Sequence, residues 1–541
     1  MSQKLYLSIL KAGVLVSLIC VFFVFKGLLF PFITSKQIPF NIIMEIMAIF
    51  WVVFIIKYPE YRPKKSYITW GLLAFFSVIT LSCFTGVDFN LSFWGDVERM
   101  LGVFHILHFL LLYLIIITVF REWNDWKILF LASVICAVFI SFMGMGEGNT
   151  PYSQIGNTAY MSAYLIFNIY FSFLLFLKEG NKGLRWLYLI PLPLFLLAFK
   201  NANTSGAYVG LGISVLAVLF LWGVLAKNKR IKMVTWAGLI AVIVILGWAF
   251  THKNNPIVVN TPGLQAIRGI SFEKRTFQTR LISWRAAFKD FKNQPMLGTG
   301  FGNFAVIFDR HFDPTFYNHT RQETYFDRAH NNLIDIAATT GALGLVSYLS
   351  IFLALAYYLI RGYTKKYINS KEFILISGLI VAYFVQNLAV FDSFVTYMAL
   401  MIILVYVYWL NYEGEQGLCE EGKEKTTKGF NYLANDRKLE NKEIYTFVFV
   451  GILALLVVYQ YNVKPYKMLT GTIEGQKYFS QGQVEKGVEA YKETLKLNTI
   501  LDRDSRTSLM RIFSNGGSLN GLTKEKQQEI LDYTIELAEA N

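Results

Sequence analysis

Charge is what this chain has least of. Only 16% of its 541 residues are Asp, Glu, Lys or Arg, against roughly a quarter in soluble domains, and that shortfall excludes an ordinary soluble protein. Cysteine is scarce as well. Cys20, Cys83, Cys136 and Cys419 lie mostly in apolar runs, with no spacing for a zinc site or a disulfide framework. No P-loop is present. Gly298, Gly300 and Gly302 lack the Lys-Ser/Thr pair and do not fit GxGxxG. A tight turn that lets Phe304 pack is the better reading of those glycines.

What fills the space is apolar: 54% of residues are hydrophobic and 16% aromatic. Runs near the ~20 residues a membrane helix needs are expected at 7–31, 39–56, 67–87, 101–120, 127–145, 159–177, 184–199, 206–226, 233–251, 333–360, 372–390, 394–410 and 444–462. The expected fold class is therefore all-α, a polytopic bundle of about 12–13 spans, and the weakest span, 184–199, contains Pro191 and Pro193. The first run is long and lacks a clear small-residue cleavage site, so it reads as a retained span rather than a signal peptide.

The net charge of +14 implies no nucleic acid, because the short loops account for much of it. Loops with several cations (Lys57 to Lys65, Arg121 to Lys127, Lys178 to Arg185, Lys227 to Lys232, Arg361 to Lys371) alternate with loops holding at most one. The latter are Phe32 to Ile38, Asp88 to Met100, Gly146 to Thr158, Lys200 to Ser205 and Phe391 to Ser393. By the positive-inside rule this places the N-terminus in the cytoplasm. The long loop 252–331 then falls outside, although Lys253, Arg268, Lys274, Arg275, Arg280, Arg285, Lys289, Lys292, Arg310, Arg321 and Arg328 face only six acids there. Long loops translocate largely regardless of charge, so cations in this one point to an anionic ligand.

The domain reading is a membrane body over 1–410, a charged cytoplasmic linker over 411–443, a further span over 444–462 and an outer helical tail over 463–541. In the tail, Gly475, Tyr478, Gly482, Gly487, Tyr491 and Leu495 sit where a ~34-residue tetratricopeptide pattern wants small, aromatic and apolar side chains. A generic helical hairpin fits equally well. Either needs neighbouring helices or a protein partner to cover its apolar face.

Four pieces of sequence stand out: Arg280-x-x-x-Trp284, then Pro295-x-x-Gly298-x-Gly300-x-Gly302-x-Phe304, then His330-Asn331-x-Leu333, and Gly341-x-x-Gly344. Together they resemble the O-antigen ligase and O-antigen polymerase superfamily, most strongly from Arg280 to Leu349. The resemblance implies transfer of a glycan from an undecaprenyl-diphosphate carrier to a glycan, lipid or protein acceptor hydroxyl, outside the bacterial cytoplasmic membrane, with no metal, nucleotide or other cofactor. It places the family's proposed catalytic histidine on His330. It also implies that Arg99, in an Arg-Met-x-Gly run, faces the diphosphate, although a solvated loop charge fits equally. Asp392 matches a recurrent acidic position that can orient an Arg or His, with a plain short-loop carboxylate as the other reading, and Gly156-Asn157 fits a turn. One departure stands against the resemblance. Relatives carry an arginine in a Ser-Arg-Gly-Ala-like run, where this chain has Asn203-Thr204-Ser205-Gly206-Ala207, and Lys200 is the available substitute.

Chemistry supports the same reading. No ATP is present outside the cytoplasm, so a transferase there needs an activated donor, and a lipid diphosphate leaves carrying new negative charge. Guanidinium groups meet such charge best, which selects Arg280 and Arg328, then Arg285. Neutral imidazole at His330 can accept the acceptor's hydroxyl proton, and the helix beginning near Asn331 adds free N–H groups. The competing readings are an interfacial histidine capping a span, a surface arginine, and Trp284 as an interfacial anchor; for Trp284 the anchor is preferred. His105 and His108, three residues apart without a third ligand, read as helix packing rather than a metal site. At the level of the whole protein, the alternatives are a lipid-linked glycan flippase or transporter, or an inactive scaffold of envelope polysaccharide assembly. Transporters carry repeats or midplane charges, whereas ionisable residues here are expected at the rim.

Overall fold

The computed structural model of the chain describes residues 2–146, 152–261, 263–264, 273–321, 325–421, 440–514, 519 and 522–540. Arg268 and most of the expected linker 411–443 lie outside them, as does the side chain of Cys419. Among the described residues the chain is all helical. The principal helices are α1 (Gln3–Ile19), α2 (Pro31–Lys57), α3 (Tyr67–Thr85), α4 (Val103–Val119), α5 (Trp123–Met145), α6 (Thr158–Lys178), α7 (Leu192–Ala202), α8 (Ser205–Leu225) and α9 (Lys229–Thr251). They continue as α10 (Arg275–Asn293), α11 (Asn332–Thr364), α12 (Ser370–Gln386), α13 (Phe394–Glu421), α14 (Asn441–Val458), α15 (Lys464–Ser480), α16 (Val484–Leu495), α17 (Asp502–Ser514) and α18 (Lys524–Glu539).

Ten of the described helices are long and apolar enough to cross a membrane. Three expected spans are not among these ten. The runs at 101–120 and 372–390 form 17-residue helices, α4 and α12. The run at 184–199 breaks at its prolines into a 3-10 stretch, Leu184–Leu189, and the 11-residue α7. Asparagine starts several helices. Asn157, Asn228, Asn331 and Asn369 each accept two backbone N–H groups at the N-cap of α6, α9, α11 and α12, a contribution of roughly 1 kcal/mol each.

Two compact units emerge. The first comprises Met1–Glu60, Phe93–Leu111 and Asp436–Asn541. In it α14 passes through a π turn at Tyr459–Val463 into α15. Met468 and Leu469 of α15 join Leu28, Ile38, Val97, Met100 and Leu501 in one apolar cluster. The tail helices α15 to α18 close over Tyr491, Leu509 and Leu537. This unit also corrects the expectation that ionisable groups keep to the rim. Lys36, expected in a loop, lies buried in α2, because that helix already begins at Pro31. Glu45 in α2 is buried against His108 Nε2 (3.1 Å) and both Nδ2 bonds of Asn462 (2.9 and 3.0 Å). His105 Nδ1 lies 2.9 Å from Asn41 Nδ2. Both histidines thus bond to residues of other helices, and no group of three or more His, Cys, Asp or Glu that could hold a metal occurs among the described residues.

The second unit comprises Tyr61–Ser92 and Leu112–Asn435. Its long helix α11 has 33 residues, about 50 Å at 1.5 Å per residue, and is broken at Gly341 (φ 67°, ψ −168°). The break would strand backbone groups in an apolar setting, and the glycine-rich segment supplies their partners. Thr299 N and Gly300 N donate to the Ala338 and Thr339 carbonyls (3.3 and 2.9 Å), while Ala342 N and Leu343 N donate to Pro295 and Met296 (2.7 and 3.2 Å). A Cβ on Gly298 would sit 2.4 Å from the Thr339 carbonyl carbon, and one on Gly341 2.3 Å from that of Met296. The motif glycines are thus small because two backbones touch there. The turn delivers Phe304, fully buried, into a cluster with Ile307, Phe308, Phe316, Phe326 and Ala329.

Candidate functional site

The site is built around the six residues that lead into α11. α10 forms because its apolar and small residues (Thr279, Ile282, Ser283, Ala286, Ala287) recur at helical spacing and are buried. Flanking that face, Trp284 Nε1 donates to the Ala329 carbonyl, 2.7 Å away. From the other side Asp335, in the first turn of α11, accepts the Ala329 N–H at 3.0 Å and pairs with Arg328 Nη1 at 2.8 Å. Both backbone polar groups of Ala329 are therefore held, from two different helices. Trp284 is more than the interfacial anchor expected of it.

His330 follows with a left-handed backbone, φ 51°, uncommon for a residue with a Cβ. Its ring lies between Phe326 (centroids 5.6 Å) and Phe391 (5.5 Å) and is partly exposed. Asn331 then caps α11, accepting from Leu333 N and Ile334 N. The next residue, Asn332, is tied down three ways. Its N–H donates to the Asn387 carbonyl (2.8 Å), and its Nδ2 reaches Tyr348 OH and Asp392 Oδ2 (both 2.9 Å).

The predicted residues divide into those gathered here and those that are not. Arg328 is 7% exposed, with its guanidinium carbon over Phe301 (5.5 Å) and Phe391 (5.7 Å). Burial is the largest single influence and opposes its charge, but Asp335, Tyr397 and Asp327 together outweigh it and raise its pKa above the ordinary arginine value. Asp392 is buried and accepts from Tyr383 OH (2.7 Å), Asn387 Nδ2 (3.1 Å) and Asn332. Burial raises its pKa and these donors oppose the rise, so it anchors the loop under His330. Arg280 lies one turn before Trp284 on the same face of α10. It is partly buried, and burial pulls its pKa below the usual arginine value without approaching deprotonation.

Arg285 is exposed about 140° around the helix from Arg280, where it and Lys289 act on Asp313. Lys200 is exposed in the last turn of α7, and nothing among the described residues ties its ammonium to the His330 turn. The run that lacks the arginine starts α8 beside the Asp392 loop: a Cβ on Gly206 would lie 2.8 Å from that of Ala389. Arg99 belongs to the first unit, where Asp96 Oδ1 accepts its N–H (2.7 Å) and Glu98 pairs with its side chain (3.0 Å). Gly156 has φ 83° and Asn157 caps α6, the expected turn.

Sequence reasoning missed Asp335, Asn332 and Asp290. The first was visible in principle as an acid in the opening turn of an apolar span. Asp290 is fully buried and holds Arg310 Nη1 (2.9 Å), His311 Nε2 (3.1 Å) and the Thr299 hydroxyl, which fixes the glycine-rich turn.

Residues 190–349 match the family model described as O-Antigen ligase. No curated protein matches the chain. The matched stretch contains α10, the glycine-rich turn, the His330 segment and the break in α11.

Proposed function

We infer that this chain, which belongs to the O-antigen ligase superfamily and has the general character of a membrane glycan transferase or ligase, moves a glycan from an undecaprenyl-diphosphate carrier to an acceptor hydroxyl. The observation that carries this is the His330 turn, held by Trp284 and Asp335 beside the face of α10 that bears Arg280. In the proposed step the acceptor oxygen attacks the anomeric carbon and His330 takes its proton. The carbon–oxygen bond to the diphosphate breaks, and the diphosphate leaves with the bonding pair. Arg280 meets that charge as it grows. Arg328, already paired with Asp335, positions the His330 turn instead of binding the donor, and Asp392 secures it through Asn332. Arg285 and Lys200 fit a more distant contact with donor or acceptor, and Arg99 the diphosphate.

The proposed topology keeps the N-terminus in the cytoplasm of a bacterium and the loop 252–331 and tail outside. It requires the shorter helices α4 and α12 and the broken segment Leu184–Ala202 to cross as well, and the alternation of basic and cation-poor loops supports it. The tail, read as tetratricopeptide-like, is a surface for a protein acceptor or assembly partner. The transporter reading gains one observation, the buried Glu45, His105 and His108. Purified protein in lipid with undecaprenyl-diphosphate glycan and envelope acceptors separates the readings. Wild type should release undecaprenyl diphosphate, and His330→Ala should lose release by about 10²-fold or more. Equal release by both sinks the mechanism, and glycan that crosses the bilayer unaltered makes the protein a flippase.

A further inference from the structure

A second site lies in the same unit at the far end of α11 from His330. The start of α3 and the ends of α11 and α13 enclose a cavity of about 490 Å³. Lys64, Lys65 and Arg361 line it, and Glu415, which pairs with Arg361, is the acid among its described wall residues. The wall thus carries a net positive charge. Lys64 Nζ lies 4.8 Å from the centre of the ring of Tyr412, another wall residue.

An independent observation inside the cavity points to a ligand. Asn411 also lines it and is 1% exposed. Its Nδ2 donates to the Tyr358 and Val407 carbonyls, both at 3.0 Å. Two carbonyl partners fix which way the amide faces, so Oδ1 is the atom left over, buried and without a donor among the described atoms. Buried acceptors are ordinarily satisfied, and the residue that carries this one lines a cationic cavity. Around the rim Tyr67, Trp70 and Tyr357 are exposed, the aromatic belt of a bilayer interface.

We propose that this cavity binds the headgroup of an anionic, hydroxyl-bearing phospholipid, its phosphate held by Lys64, Lys65 and Arg361 and a headgroup hydroxyl donating to Asn411 Oδ1. The aromatic rim favours a lipid over free phosphate, since it provides apolar cover where the glycerol backbone emerges. Topology-setting charges need no cavity, and Lys365, Lys366 and Lys371, exposed at the same end, lie outside this one. The site is independent of the transfer chemistry.

The test uses the full chain in nanodiscs of equal phosphatidylcholine and phosphatidylglycerol, with retained lipid counted by native mass spectrometry. Wild type should hold phosphatidylglycerol in preference. The K64Q/K65Q/R361Q variant should retain at least about tenfold less, given the worth of a basic residue near an anionic surface. The K365Q/K366Q/K371Q variant should match wild type. Equal loss in both variants, or no headgroup preference in wild type, overturns the site. Displacement of the lipid by millimolar inorganic phosphate overturns the lipid and leaves a free-anion site. If the first variant does not fold, Lys65→Gln alone should lower retention about fivefold, and unchanged retention overturns the proposal.

Discussion

Asp335→Asn tests whether Arg328 binds the donor or holds the His330 turn. Asparagine keeps an acceptor for the Ala329 N–H, bonded at 3.0 Å, and removes only the charge facing Arg328. The side chains of the pair are 9% and 2% exposed, so the arginine left behind is an uncompensated buried cation, at a cost of about 3–5 kcal/mol. Arg328→Met on the same background removes that cation and keeps apolar volume between Phe301 and Phe391. Residues in direct contact couple by up to about 3 kcal/mol, so the double variant should melt well above Asp335→Asn alone. Thermal unfolding in nanodiscs reads stability, and release of undecaprenyl diphosphate reads transfer. If Arg328 is a positioning residue, the double variant regains at least about a tenth of wild-type transfer along with its stability. Recovered stability with transfer still absent would show that Arg328 touches the donor. No recovery of stability would refute the ion-pair reasoning itself.

Gly341→Ala should be severe, because φ 67° with ψ −168° is a glycine conformation costing other residues about 1–3 kcal/mol, and the new Cβ would lie 2.3 Å from Met296; an unchanged melting temperature would contradict the described break. In the tail, Asp504 Oδ2 accepts the Val97 N–H at 3.3 Å. Burial, then the Asp96 carboxylate, raise its pKa to about 7, with Glu98 adding to the rise and Arg503 opposing it. A pKa raised on folding gives stability that is fully present below the unfolded value, about 3.9, and is lost as pH climbs through 7. Asp504→Asn should therefore flatten the fall in melting temperature between pH 4 and 8, and a slope equal to that of wild type would refute the assignment.

Elements defined by local pattern were legible in the sequence. Runs of twenty apolar residues announce spans, asparagine announces helix starts, and the spacing of Arg280 from Trp284 places both on one face. Failures came where the deciding contact is remote. The glycine-rich segment was rightly read as a tight turn that packs Phe304, yet its hydrogen bonds to the break at Gly341 span some forty residues and leave no local trace. The pairing of Arg328 with Asp335 left no trace because the partner is seven residues on, inside what looked like pure span. Lys36 read as a loop charge because Pro31 starts α2 earlier than hydropathy alone suggests. At 184–199 the prolines did what prolines do in helices, and the run broke.

The backbone at His330 is held in a strained conformation. A left-handed conformation costs a residue with a Cβ roughly 1–2 kcal/mol, and φ 51° persists here because the neighbours over-determine it. Ala329 is gripped through both its N–H and its carbonyl, Asn331 caps a helix, and Asn332 is bonded three ways. A capping histidine with no other task would gain by relaxing or by becoming glycine. His330→Gly should relieve the strain and, relative to His330→Ala, raise stability by about 1 kcal/mol, while both variants lose transfer. A glycine variant less stable than the alanine one would show that the turn is unstrained. A glycine variant that still transfers would show that the imidazole is not the base.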